Sequence, residues 1–322
     1  MATEQLSLLS EQRRQRRSRP TSWVYAALLW AGVVIFALVF AGIIEGIVSQ
    51  STQAWGHFGI GFLWSTQFNQ ATNEYGAGVF IIGTLVTVAL ALVIAIPFGL
   101  ATASFLTEMA PKRLASGLGV LVDLIAAVPS IVVGLWGLRV LQPVFLRDVE
   151  PFMQKIPLIK YLFRGTAEGP SIFLAGVVLA IMIVPTMVAL TRTALAGVGN
   201  ADREAALALG ATPWQIVRKI VVPGANSGIL AAITLALGRA IGETIAVTLV
   251  IGNNNNLPHP FSLLSPSSTL GAVIINQFGE SQQGTLLRSS LMALAVVLLA
   301  MTLLVNIAGR LMVRNRLSGG RP

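Results

Sequence analysis

Apolar residues in this chain come in long, nearly unbroken runs, with polar residues gathered between them. Six runs are long enough to cross a hydrocarbon core of ~30 Å as helices. They cover residues 23–48, 78–106, 115–141, 172–190, 227–251 and 289–312. The pattern predicts an all-α membrane protein with about six transmembrane helices. Between the fourth and fifth runs lies a polar island with an internal order: Glu204-Ala205-Ala206-Leu207-Ala208-Leu209-Gly210, with Ile220 and Pro223 downstream. Good helix formers lead, a Gly follows, and an amphipathic run ends at a Pro. These residue types predict a helix, a glycine-broken turn and a second short helix. Held by spans on both sides, such a bent loop suits the docking of a soluble partner. Pro97, Pro129 and Pro185 interrupt three of the apolar runs and predict kinks there.

Composition sharpens the membrane reading. The 322 residues are 54% hydrophobic and 11% charged, with a mean hydropathy of +0.76, whereas soluble domains carry about 25% charged residues. The absence of Cys excludes a disulfide scaffold and thiol-ligated metal, and two His are too few for a His-rich metal site. The net charge of +9 does not point to nucleic acid, because the basic residues cluster at the ends of apolar spans rather than on an aromatic-studded surface. Arg13, Arg14, Arg16, Arg17 and Arg19 precede the first span and predict a cytoplasmic amino terminus. That span is longer than a signal-peptide core and shows no small-residue cleavage site, so a retained helix is expected.

Threading the chain from this start places Lys112, Arg113, Arg192, Arg203, Arg218, Lys219, Arg310, Arg314, Arg316 and Arg321 inside with the tail. Arg147, Lys155, Lys160, Arg164 and Arg288 fall outside. The bias agrees with six spans and both termini in the cytoplasm, and it puts residues 204–223 on the side where ATP is. Outer loops at 49–77, 146–171 and 252–288 follow. The first holds Trp55, Trp64 and Tyr75 as interfacial aromatics, and the last opens on a solvated tract of four Asn.

No catalytic constellation stands out. A G-x-x-x-x-G-K-[ST] phosphate loop is missing, so the chain is expected to be a non-catalytic translocation subunit whose ATPase is another chain. His57 and His259 both fall in outer loops as ordinary surface residues. Ionisable side chains inside spans are the next signal, since each is disfavoured by roughly 2.5–3.5 kcal/mol at mid-helix. Arg239 and Glu243 are four apart, which places them on one helix face where they can pair. Thr244 and Thr248 add hydroxyls, while Gly238 and Gly242 make a small-xxx-small step. An anion shedding water needs such donors, and a guanidinium matches phosphate or carboxylate oxygens. A structural ion pair tying helices together is the other reading of the same strip. Asp123 and Arg139 lie near span ends, where snorkelling or interfacial anchoring accounts for them.

The island resembles the coupling loop of ABC-importer permeases, E-A-A-x3-G-x9-I-x-L-P, with Val222 in place of the Leu. Further stretches are similar to the phosphate-importer permeases: Tyr75-Gly76-Ala77, Gly83-Thr84-Leu85-Val86-Thr87, Ala126-Ala127-Val128-Pro129-Ser130-Ile131 and Gly238-Arg239-Ala240-Ile241-Gly242-Glu243-Thr244. Gly61-Phe62-Leu63-Trp64 makes the chain resemble the PstC type rather than the PstA type.

The resemblance implies a type I ABC importer permease with a MetI-like bundle, a multi-pass protein of the bacterial inner membrane. It implies basic tails at 1–22 and 313–322, a first helix and outer loop over 23–76, and a permease domain over 77–312. It also implies a PstA-like second permease, a PstB-like ATPase dimer that holds ATP and Mg, and a PstS-like phosphate receptor. By motif, Glu204, Ala205, Ala206, Gly210, Ile220 and Pro223 are implied to dock the ATPase, and Arg239, Glu243 and Thr244 to line the substrate path. Permeases for sulfate or molybdate share the coupling loop and stay open as an alternative. An ion-coupled secondary phosphate carrier would leave that loop without a purpose.

Overall fold

The computed structural model describes residues 19–157, 159–165, 169–257 and 262–318. His259, Arg13, Arg14, Arg16, Arg17 and Arg321 lie outside the described residues. Two compact units emerge, Met1–Gln50 and Ser51–Pro322. α1 (Arg19–Phe58) crosses the boundary between them; its amino-terminal part is apolar on every side, and all side chains from residue 23 to residue 43 are exposed. A helix with no polar face and no covering of its own is a lipid-exposed or partner-covered span.

The second unit is a helical bundle. α2 (Gly78–Ser104) runs on through a π turn at Phe105–Met109. α3 (Lys112–Ala126) is amphipathic. α4 begins at Ser130 and the helical run continues to Lys155. α5 (Ile172–Ala196), α6 (Asn200–Ala208), α7 (Pro213–Ile216), α8 (Asn226–Gly242), α9 (Ile245–Val250), α10 (Leu270–Phe278) and α11 (Leu286–Ser318) complete it. Among the described residues, five helical runs are long and apolar enough to cross a membrane, and a sixth is added if Pro213–Gly224 and Asn226–Gly242, bent by 71° at Ala225, form one broken span. This is a multi-pass membrane protein, as the six apolar runs predict. Helices satisfy their own backbone groups, which hydrocarbon demands.

Two predicted spans are corrected. The run at 115–141 is not one helix: Ala127 ends α3, and Pro129 adopts an extended conformation (φ −58°, ψ 138°) before α4 starts. The spanning helix is Ser130–Lys155, so residues 146–155 are helical rather than outer loop, and Arg139 and Arg147 lie within the run. The run at 227–251 is likewise broken, at Glu243 and Thr244. Proline alone does not decide such breaks, since Pro97 and Pro185 sit inside continuous α2 and α5. Those two helices are the bundle's packed centre, where tertiary contacts hold the helix across the missing N–H.

The core gathers around α5. A Cβ on Gly176 would come within 2.5 Å of Leu90, and one on Gly99 within 2.8 Å of Met187, so bare glycines let α2 and α5 touch. A smaller cluster lies under the hairpin β1 (Phe68–Asn69) and β2 (Glu74–Tyr75). There the Phe68 ring meets Tyr75 at 5.2 Å and Phe80 at 5.0 Å, both edge to face. Tyr75 is therefore buried rather than interfacial, whereas Trp64 is exposed.

Candidate functional site

The polar island folds as its residues predict. α6 carries Glu204, Ala205 and Ala206, and Gly210 follows with φ +81° and open space where a Cβ would stand. The Gly210 amide donates to the Leu207 carbonyl at 2.9 Å and the Ala211 amide to the Ala206 carbonyl at 3.0 Å. These are the paired bonds of a Schellman ending, which needs a left-handed residue and so favours Gly. Two residues on, Thr212 and Gln215 form a reciprocal capping box: the Gln215 amide donates to Thr212 Oγ1 (3.3 Å), and the Thr212 amide to Gln215 Oε1 (2.8 Å). With Pro213 in the first helical turn, this restarts the chain as α7. A π turn at Val217–Val221 and a short turn at Val222–Gly224 end the motif.

The motif has two sides. Ala206, Ile216 and Val221 are buried in a cluster with Leu106, Val188 and Leu195, and Ile220 packs against it half-buried. Glu204, Ala205, Gly210 and Pro223 are exposed. So are Leu207, Trp214 and Leu209, the last 89% open, giving an apolar patch beside a carboxylate.

A second feature was not legible beforehand. Arg203, one residue before the E-A-A triplet, forms an ion pair with Glu108 at 2.9 Å, and both side chains are largely covered (16% and 11% exposed). The two residues are 95 positions apart, so no local spacing reveals the pair.

Further along, Arg239 projects from α8 and is exposed. Its Nη1 donates to Thr186 Oγ1 on α5 at 3.0 Å. The expected Arg239–Glu243 pair does not form. α8 stops at Gly242, and Glu243 turns extended (ψ 121°), which takes its side chain off the Arg239 face. The Glu243 carboxylate instead accepts from the Ala246 amide at 3.4 Å, at the start of α9. Thr244 donates to the Gly242 carbonyl (3.3 Å) and its own carbonyl accepts from Thr248 Oγ1 (2.7 Å). A Cβ on Gly238 would meet Asn306 of α11 at 3.1 Å, so this glycine is a close-packing point, but Gly242 faces open space.

The bundle has known counterparts. A family model for the binding-protein-dependent transport system inner membrane component matches residues 95–317. Among solved structures, a bacterial ABC transporter involved in import of the acidic polysaccharide alginate superposes with a TM-score of 0.61 at 16% identity, covering 94% of this chain and 99% of that one. The MetNI methionine ABC transporter in an inward-facing conformation gives 0.52 at 20% identity, over 77% of this chain and 99% of that one. At such identities the likeness is one of fold, and with the family match it defines the class: an ABC-importer permease bundle.

Three relatives narrow it. The phosphate transport system permease protein PstC of Pasteurella multocida is 40% identical over 280 residues, 86% of each chain. That of Xylella fastidiosa (strain Temecula1) is 40% identical over 305 residues, 93% of this chain and 92% of the relative. That of Haemophilus influenzae is 37% identical over 307 residues, 93% and 96%. The chain belongs to the PstC family of transport system permease proteins.

Proposed function

We propose that this chain is the membrane subunit through which an ATP-driven importer moves inorganic phosphate into the cell. The observation that carries the reading is the exposed face of α6 and its Gly210 turn, seated on a permease bundle of the PstC family. A soluble ATPase can grip Glu204, Ala205 and the apolar patch at Leu207, Leu209 and Trp214, while Ala206 and Ile220 root the loop in the bundle. In this reading a PstB-like ATPase dimer holds ATP and Mg and performs the hydrolysis, a PstA-like permease completes the pathway, and a PstS-like receptor delivers phosphate. The importer lies in the bacterial inner membrane with both termini cytoplasmic.

ATP binding closes the ATPase dimer, the docked loops move with it, and the bundle reorients its opening. Arg239 is the anion-facing donor of the path. A guanidinium has five N–H donors, and among the described residues only Thr186 accepts from this one, which leaves most of the fork for phosphate oxygens. Thr244 and the Glu243 turn line the same stretch. Substrate choice rests mainly with the receptor, since few other anion donors occur in these spans.

The test is labelled-phosphate uptake by cells lacking this chain, with and without its re-expression, under excess sulfate or molybdate. Restored, ATP-dependent uptake that resists both competitors is expected. Restored flux of a competing anion with unchanged phosphate flux would overturn the substrate, and collapse with the proton gradient but not with ATP depletion would overturn the ATP-driven mechanism.

A further inference from the structure

Arg203 bonds to four residues at once. Its Nη2 and Nε reach the two oxygens of Glu108 at 2.9 and 3.2 Å. Nη2 also donates to the Leu195 carbonyl at 2.8 Å, and Nη1 donates to the Val198 carbonyl and to Asn200 Oδ1. One planar guanidinium thus joins three pieces: the π turn that ends α2, the carboxyl end of α5 and the first residue of α6. The Leu195 carbonyl, which also accepts from the Val198 amide at 3.2 Å, and the Val198 carbonyl sit at the negative end of the α5 dipole, so a cation is favoured there. The covered position limits screening by solvent and salt. Apolar contacts around Ala206 and Leu106 hold the loop against the bundle without fixing its direction, whereas forked hydrogen bonds fix both distance and angle.

We infer that Arg203 and Glu108 are positioning residues that make the E-A-A loop move as one body with α2 and α5, so that a displacement of the loop becomes a displacement of the bundle. Neither side chain touches phosphate or nucleotide. The inference rests on the reading of the loop as the ATPase dock. Because α2 and α5 are the packed centre, a joint to both hands the motion to the middle of the bundle rather than to one edge. Lys in place of Arg203 keeps the charge but cannot reach Glu108 and two carbonyls together.

The experiment uses the whole importer, reconstituted with its ATPase and receptor. Since the chain contains no Cys, spin labels placed by Ala201→Cys and Met109→Cys report the loop-to-α2 distance within this chain. With native Arg203 the distance distribution stays narrow with and without nucleotide. Arg203→Met and the milder Glu108→Gln should broaden it and cut phosphate taken up per ATP hydrolysed about tenfold, with the complex still assembled and hydrolysis retained. Arg203→Lys should fall between.

A distribution equally narrow in Arg203→Met, or uptake per ATP equal to that of the native complex, overturns the joint. So does loss of assembly in all three variants, which marks a merely structural tie. Failure of the phosphate reading looks different: the native complex itself would hydrolyse ATP and import no phosphate, while the label distances would still report the joint.

Discussion

Arg203 and Arg239 are the same side chain in opposite circumstances. The first is covered and spends its donors on Glu108, two carbonyls and Asn200. The second is exposed and, among the described residues, makes one bond, to Thr186. A saturated guanidinium is a fastener, because any other geometry breaks several bonds at once. An unsaturated one keeps donors open for a group outside the chain. The two guanidiniums thus meet α5 nine residues apart, at Leu195 and at Thr186, one with its donors filled and the other with most of them open.

The contrast can be broken most sharply through stability. Arg203→Met leaves the Glu108 carboxylate covered and unpaired, and should destabilise the solubilised chain by about 3 kcal/mol. Arg239→Met should change the same thermal midpoint by no more than about 0.5 kcal/mol in free energy. Equal losses in the two variants would erase the distinction.

Arg239→Gln should lower phosphate uptake about tenfold, roughly 1.4 kcal/mol, while the ATPase still co-purifies. Lost assembly instead would make Arg239 a second fastener. Gly210→Ala forces a side chain into φ +81° and should weaken the loop by about 1 kcal/mol, read as reduced ATPase retention on the purified permease. Unchanged retention would mean the turn is dispensable for docking. The smallest effect belongs to Thr186→Val, which frees the Arg239 guanidinium to swing: uptake should fall about twofold, near 0.4 kcal/mol. A loss as large as that of Arg239→Gln would assign the hydroxyl itself to the anion.

What could be read in advance follows the range of the bonds involved. The α6–Gly210–α7 motif is built from contacts spanning three to five residues, all between types with strong positional preferences: Gly210 left-handed, Thr212 with Gln215, Pro213 at a helix start. Such grammar is visible in the letters. The Arg239–Glu243 pair also looked local, but it presupposed an unbroken helix, and Gly242 followed by Glu243 ends α8 one residue too soon. Apolar run length likewise located most spans, yet did not separate Pro129, which breaks its run, from Pro97 and Pro185, which do not. That outcome depends on how tightly neighbouring helices clasp the segment. Glu108 and Arg203 lay beyond any such reading, since only the packing of α2 beside α6 brings them together.

The break between α8 and α9 has a consequence for hydration. α8 is 17 residues long, about 25 Å at 1.5 Å per residue, so, counted from Asn226, the extended Glu243 and Thr244 fall about 5 Å inside the far edge of a core of ~30 Å. Irregular backbone at that depth persists only where protein covers it or water wets it, and Gly242 opens onto free space. An acyl chain resting there would strip solvent from the backbone at the exposed Gly242. Whatever surrounds this stretch in the assembled importer must keep lipid away from it, and the seal against leakage of protons and small ions has to be made by other layers of the bundle.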